Sequence, residues 1–248
     1  MMSLTNTNMA ETVKKQFCFK LKANIDSFSS LVFIQLLAVV FSSFSGVATS
    51  GMSSEDIQIN VNYYSADLVI PFTFIWAFTT AITITTRPYR NHDFTFISNR
   101  LSSSLSNILF LAAATILGSI TALLAGNLLK LMMYFRLESL VFSGTTSLKE
   151  VLIGIFVTFL YVFLFSAVGY FVGTLVQLNK LFSVLIPVLF FSSLFFGSFI
   201  LGFSFLTDLF QFYGEETVLS IFIMKTLVTV AVFFIASTSI WNQLEVRR

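Results

Sequence analysis

Apolar residues run through this chain in long blocks separated by short polar intervals, and the blocks are too long for core strands. An α-helix rises about 1.5 Å per residue, so about 20 mostly apolar residues cross the hydrocarbon layer of a bilayer. Six such spans are predicted, at 28–48, 66–86, 104–132, 151–175, 182–203 and 218–241. Pro71 and Pro187 fall inside the second and fifth, which predicts kinks whose freed backbone groups neighbouring helices must satisfy. The third run exceeds what a span needs, so it is expected to tilt or to continue beyond the membrane as far as Phe135.

Ahead of the first span, residues 11–27 predict an interfacial helix. Val13, Phe17, Leu21 and Ile25 form one stripe at i, i+4 spacing, with Lys15 and Lys22 on the other side, although Lys14 and Phe19 break the pattern. The alternative is a plain basic tail that fixes orientation. The first apolar run is longer than the ~7–15 residues typical of a signal peptide, so it is read as a retained helix.

Composition turns this pattern into a class. The 248 residues are 56% hydrophobic and only 10% charged, against roughly 45–50% and about 25% in soluble domains. The expected fold is all-α: a polytopic membrane protein, read as one membrane domain without internal repeats. Placing the N-terminus inside puts Lys14, Lys15, Lys20, Lys22, Arg87, Arg90, Arg100, Lys180, Arg247 and Arg248 on the cytoplasmic side, ten of the fourteen basic residues. By the positive-inside rule both termini are then cytoplasmic. A net charge of +2 scattered over loops offers no stripe for nucleic acid. The single cysteine, Cys18, excludes an internal disulfide and any multi-cysteine metal site.

Several chemistries are missing. No G-x-x-x-x-G-K-[ST] loop is present to cradle a nucleotide phosphate. The one histidine, His92, lies in a loop, which argues against zinc or Ser–His hydrolysis within the spans. No enzymatic activity is expected of this chain, nor any bound cofactor or metal. Lys225 is the clear charge inside a span, where a charge costs at least about 2.5–3.5 kcal/mol at the centre. It is expected either to snorkel outward or to meet Asp67, Asp208, Glu215 or Glu216. Gly169 and Gly173, and the series Ala114, Gly118, Ala122 and Gly126, are small-residue stripes that suit either a dimer face or packing within the chain.

The interval "RPYRNHDFTFISNR", 87–100, gathers Arg87, Arg90 and Arg100 with Asp93 and His92, and threads Tyr89, Phe94 and Phe96 between them. Arginine and aromatic anchors are enriched at protein interfaces, which predicts a cytoplasmic docking surface. The other reading is an aromatic belt dipping into the headgroups.

A basic amphipathic leading helix, six spans with both ends inside, and this aromatic loop between the second and third spans together resemble the permease subunit of ABC-2 type exporters. In size and texture the chain is similar to the small Firmicutes permeases of that family that export, or give immunity to, short peptides. The resemblance implies that 11–27 is an elbow helix and that 87–100 is the coupling helix seated on a separate ATPase subunit, which would hold ATP and Mg. It implies a smaller second contact at Gln177, Asn179 and Lys180, and an outer re-entrant segment at 204–217. It also implies pairing with a second copy or a related permease in a bacterial cell membrane. Phenylalanine occurs 32 times; Phe195, Phe199 and Phe203 share a helix face and are the candidates for an apolar path taken by a hydrophobic or amphipathic peptide, the alternative being that such residues simply face lipid. A binding or immunity module for a peptide, and an ion-coupled carrier, are the alternatives.

Overall fold

The apolar runs form helices because, in a chain with so few polar side chains, only the helix satisfies every backbone group from within one segment. The computed structural model describes residues 9–44, 49–54, 57–62, 65–89, 100–136, 147–200, 205–216 and 218–243. In chain order the elements are α1 (Met9–Ala23), α2 (Ile25–Phe44), β1 (Thr49–Ser54), β2 (Ile57–Asn62), α3 (Val69–Thr85), α4 (Arg100–Arg136), α5 (Leu148–Leu178), α6 (Phe182–Ile200), α7 (Phe205–Gly214) and α8 (Leu219–Gln243). Ile25–Phe44, Arg100–Arg136, Leu148–Leu178 and Leu219–Trp241 are four helices long and apolar enough to cross a membrane. The chain is thus a helical membrane protein of several passes. Val69–Thr85 and Phe182–Ser193 are shorter apolar helices.

Local signals set the helix ends. Ser147 precedes α5, and its backbone N–H donates to the Glu150 carboxylate at 3.3 Å, one half of a capping box. Beyond the other end of α5, the Asn179 side-chain oxygen accepts from the Leu181 N–H at 3.0 Å, an Asx turn that reverses the chain into α6. Pro71 was expected to kink the second span. It lies instead in the first turn of α3, where its missing N–H would have had no helical partner, so no kink is needed.

The departure from an all-helical reading is the antiparallel pair β1–β2, with Thr49 opposite Asn62 and Ser54 opposite Ile57. Its signal is in the sequence: Ile57, Ile59 and Val61 alternate with Gln58, Asn60 and Asn62, the period of a strand with β-branched residues on one side.

The chain divides into two compact units. The first comprises Met1–Ala23, Phe78–Ala112 and Phe163–Arg248; the second comprises Asn24–Ala77 and Ala113–Val162. In the second, Ala38, Val39, Val69, Ala122, Ala125, Leu129 and Met133 form one apolar cluster, and Leu31, Trp76, Ala77, Ala114 and Val162 another. Gln35 crosses this interior. Its amide donates to Thr73 Oγ1 and to the Gly118 carbonyl, both at 3.1 Å. In the first unit α5 meets α8 through aromatic pairs, Phe163 with Phe234 and Phe171 with Phe233, each at 5.5 Å between ring centres.

The small-residue stripes are occupied within the chain. A Cβ at Gly169 would lie 2.5 Å from the Phe78 carbonyl oxygen, and one at Gly173 would lie 3.2 Å from Ile82 Cα, so α5 packs on α3 at backbone distance. Gly118 faces the Trp76 ring in the same way, its would-be Cβ 3.3 Å from that ring.

Candidate functional site

The interval 87–100 is described only at its edges. Arg87 is exposed and Tyr89 half-buried, both in a short helical segment at 87–89, and Arg100 opens α4. Arg90, His92, Asp93, Phe94 and Phe96 lie outside the described residues. Of the candidates for the smaller contact, Gln177 is half-buried near the end of α5, while Asn179 and Lys180 are exposed in the turn. Asn179 is occupied there by the Asx turn already described. Of the path candidates, Phe195 is exposed on α6. Phe199 lies in α6 with its side chain outside the described part, and Phe203 lies outside the described residues.

Helix α6 itself is unusual. From Phe182 to Phe191 none of its side chains is buried, and apart from Ser183 they are apolar: Val184 and Val188 are 68% and 59% exposed, Leu185 and Leu189 47% and 60%. A helix so apolar requires lipid or protein around it.

Lys225, on α8, pairs with Glu216. Its ammonium also lies 4.1 Å from the centre of the Phe212 ring and 3.4 Å from the Phe212 carbonyl. One turn further along α8, Thr229 shares a 2.8 Å hydrogen bond with the Tyr213 hydroxyl. Two polar contacts thus fasten α7 and the residues after it to α8. Of the four acids weighed for Lys225, the partner is the nearest in sequence.

Sequence reasoning missed a second lysine. The apolar stripe of the expected interfacial helix was Val13, Phe17, Leu21 and Ile25; the side chains of α1 that the protein itself buries are Val13, Gln16 and Lys20, with Phe17 and Leu21 half-buried. Ile25 is 65% exposed. Burial of polar side chains on α1 has a physical reason, for the surface that receives α1 is the serine-rich start of α4, where Ser102, Ser103, Ser104, Ser106 and Asn107 are all buried. Lys20 is 4% exposed. Its ammonium donates to the Ser103 carbonyl at 3.3 Å, to Ser106 Oγ at 2.8 Å and to Asn107 Oδ1. The readable signal was "RLSSSLSN", 100–107, a polar start to an apolar helix.

In the second unit, Val40, Phe44, Met132, Met133 and Phe135 line an open cleft of about 560 Å³ with Ser43 and Arg136. The Arg136 guanidinium donates to the Ser43 carbonyl at 3.2 Å and sits 5.7 Å from the Phe44 ring centre. Among the described residues no three His, Cys, Asp or Glu side chains come together as metal ligands would.

No family model, curated protein or solved structure matches the chain.

Proposed function

We propose that this chain is the membrane-spanning subunit of an ATP-driven exporter of the ABC-2 type, moving hydrophobic or amphipathic peptides out of a bacterial cell. In this reading the chain crosses the plasma membrane six times with both ends in the cytoplasm. The two shorter apolar helices, α3 and α6, supply the remaining crossings. A separate ATPase subunit holds ATP and Mg and supplies the energy, and the interval 87–100 receives its movement through Arg87, Tyr89, Arg90, His92, Asp93, Phe94, Phe96 and Arg100. Gln177, Asn179 and Lys180 form the smaller contact.

The observation that carries the reading is α6. Between Phe182 and Phe191 its apolar side chains are exposed or half-buried and none is enclosed, as a helix is when one face lies against a second permease or a greasy substrate and the rest against lipid. A soluble substrate would require polar groups along such a path, whereas a hydrophobic or amphipathic peptide is matched by large apolar side chains. The sequence also lacks a phosphate-cradling loop, so under this reading ATP hydrolysis falls to a partner.

The test is affinity purification from the native membrane, comparing the wild type with a Phe94→Ala/Phe96→Ala double substitution. An ATPase identified by mass spectrometry with the wild type and lost with the double substitution is the expected result. Recovery of no ATPase with the wild type would sink the proposal.

A further inference from the structure

Lys20 is the one charged side chain among the buried, described residues. Taking an ammonium out of water is tolerated only where oxygen acceptors replace the lost hydration. The acceptors here are arranged for that. Ser106 gives its own proton to the Ser103 carbonyl at 2.8 Å, which leaves its oxygen lone pairs to accept from Lys20. Asn107 offers its carbonyl oxygen to Lys20 and turns its NH₂ to the Tyr170 hydroxyl, 3.4 Å away. Tyr170 is fully buried, with its ring 5.7 Å from that of Phe234. A line of contacts therefore runs from α1 through α4 and α5 to α8, all within the first unit.

These contacts are directional. A helix held by apolar burial alone can slide or roll with little loss, whereas an ammonium held by three oxygens fixes both position and rotation. What Lys20 fixes is also specific, since Ser103 is three residues after Arg100, where the interval 87–100 ends and α4 begins. We infer that Lys20 is a positioning residue: it locks α1 to the first turns of α4 and so sets where the interval 87–100 is presented to its partner. The second half of this inference rests on the reading of that interval as the ATPase contact. The lock itself does not.

Cys18 makes the lock measurable. It is the only cysteine in the chain, is exposed, and lies on α1 two residues before Lys20. A nitroxide on Cys18, read by continuous-wave electron paramagnetic resonance in lipid nanodiscs, reports the motion of α1. The wild type is expected to give an immobilised spectrum. Lys20→Met should add a mobile component, and Ser106→Ala, which removes one acceptor at nearly constant volume, a smaller one. Lys15→Met, which removes only an exposed pair with Glu11, should add no more than a slight one, smaller than either. A spectrum unchanged in both Lys20→Met and Ser106→Ala would overturn the lock. If Lys20→Met does not purify as a single species, Ser106→Ala decides alone.

A second measurement separates the two halves. Lys20→Met is expected to lower ATPase recovery several-fold in the same purification. Undiminished recovery beside a loosened α1 would overturn the positioning role. No ATPase with the wild type would overturn the exporter reading and with it the presentation of 87–100, leaving the lock to be decided by the Cys18 spectra.

Discussion

Lys20 and Lys225 carry the same charge within the same unit and are held in opposite ways. Lys225 stands in an apolar run, keeps about a quarter of its side chain exposed, and meets Glu216, nine residues away in sequence. Lys20 stands in a polar run, is almost wholly enclosed, and has oxygens of Ser103, Ser106 and Asn107, 83 to 87 residues away, among its acceptors. The contrast separates two questions that hydropathy merges. A charge among apolar neighbours in sequence need not be desolvated, because a near acid and a route to water relieve it; a charge among polar neighbours can be buried if a distant polar surface closes over it. Burial here follows the partner surface and not the local composition.

The sharpest way to break this comparison is to disturb the frame that holds the Lys20 contacts. Tyr170 lies between Gly169 and Gly173, the glycines that bring α5 to backbone distance from α3. In Gly169→Ala the new methyl meets the Phe78 carbonyl oxygen at 2.5 Å and its Cα at 3.0 Å, and backbone cannot give way as a side chain can. Overpacking of that kind should destabilise by about 3 kcal/mol, seen as a large drop in melting temperature in detergent. Gly154→Ala, on the same helix, meets only Leu123 at 3.9 Å and should be neutral or stabilising by up to about 1 kcal/mol. Equal effects at the two positions would show that the close approach of α3 and α5 is not what organises this unit.

That test also marks what was legible in the sequence. The helices could be read because membrane length and apolar composition are local properties, and both stripes containing Gly118, Gly169 and Gly173 were visible as spacing. Whether those stripes serve a dimer face or the chain's own packing was not readable, because spacing does not name the surface opposite. The hairpin at 49–62 carried a readable alternation that the dominant helical pattern overshadowed. For the candidate site the limit was the same: Lys225 announced itself by context, while Lys20, Ser106 and Asn107 are brought together only by tertiary packing. Gln16 shows the consequence, a buried amide on α1 outside the apolar stripe that periodicity had marked.

The next largest effect is expected at Lys20. Lys20→Met is nearly isosteric and removes the charge, but it takes the ammonium from Asn107 Oδ1 while Ser106 and the Ser103 carbonyl keep only their own bond to each other, at about 1–3 kcal/mol for a buried group left without a partner. Relief of the desolvated charge offsets part of that loss. A net destabilisation of about 2 kcal/mol is the expected outcome, checked by thermal unfolding followed through tryptophan fluorescence. A variant as stable as the wild type would mean that the ammonium is tolerated there and not needed.

Lys225→Met should do less. Glu216 keeps access to water when its partner is lost, since about a quarter of its side chain is exposed, so the expected loss is no more than about 1 kcal/mol. The exchange Lys225→Glu/Glu216→Lys restores opposite charges and should recover most of it, although the contact with the Phe212 ring is lost. If Lys225→Met proved as damaging as Lys20→Met, exposure would not be what distinguishes the two lysines, and the contrast would collapse into a difference of partners alone.

The smallest effect is expected at Lys15, which shares α1 with Lys20 and serves as its exposed counterpart. Its ammonium lies 2.7 Å from the Glu11 carboxylate. The hydrogen bond and then the charge of Lys15 hold the Glu11 carboxyl below its ordinary value, while desolvation acts weakly the other way. A lowered carboxylate pKa adds stability above the unfolded value, about 4.3, and that stability is lost as pH falls through the folded value. Any loosening of α1 from this pair must therefore appear only in acid, below about pH 4, and the exposure of both side chains keeps it small. The Cys18 spectrum should stay flat through the neutral range, with a slight mobile component in acid that Glu11→Gln, which has no proton to gain, does not add. If the component persists in Glu11→Gln, the response belongs to another group and this pair is not the neutral surface control that the comparison with Lys20 requires.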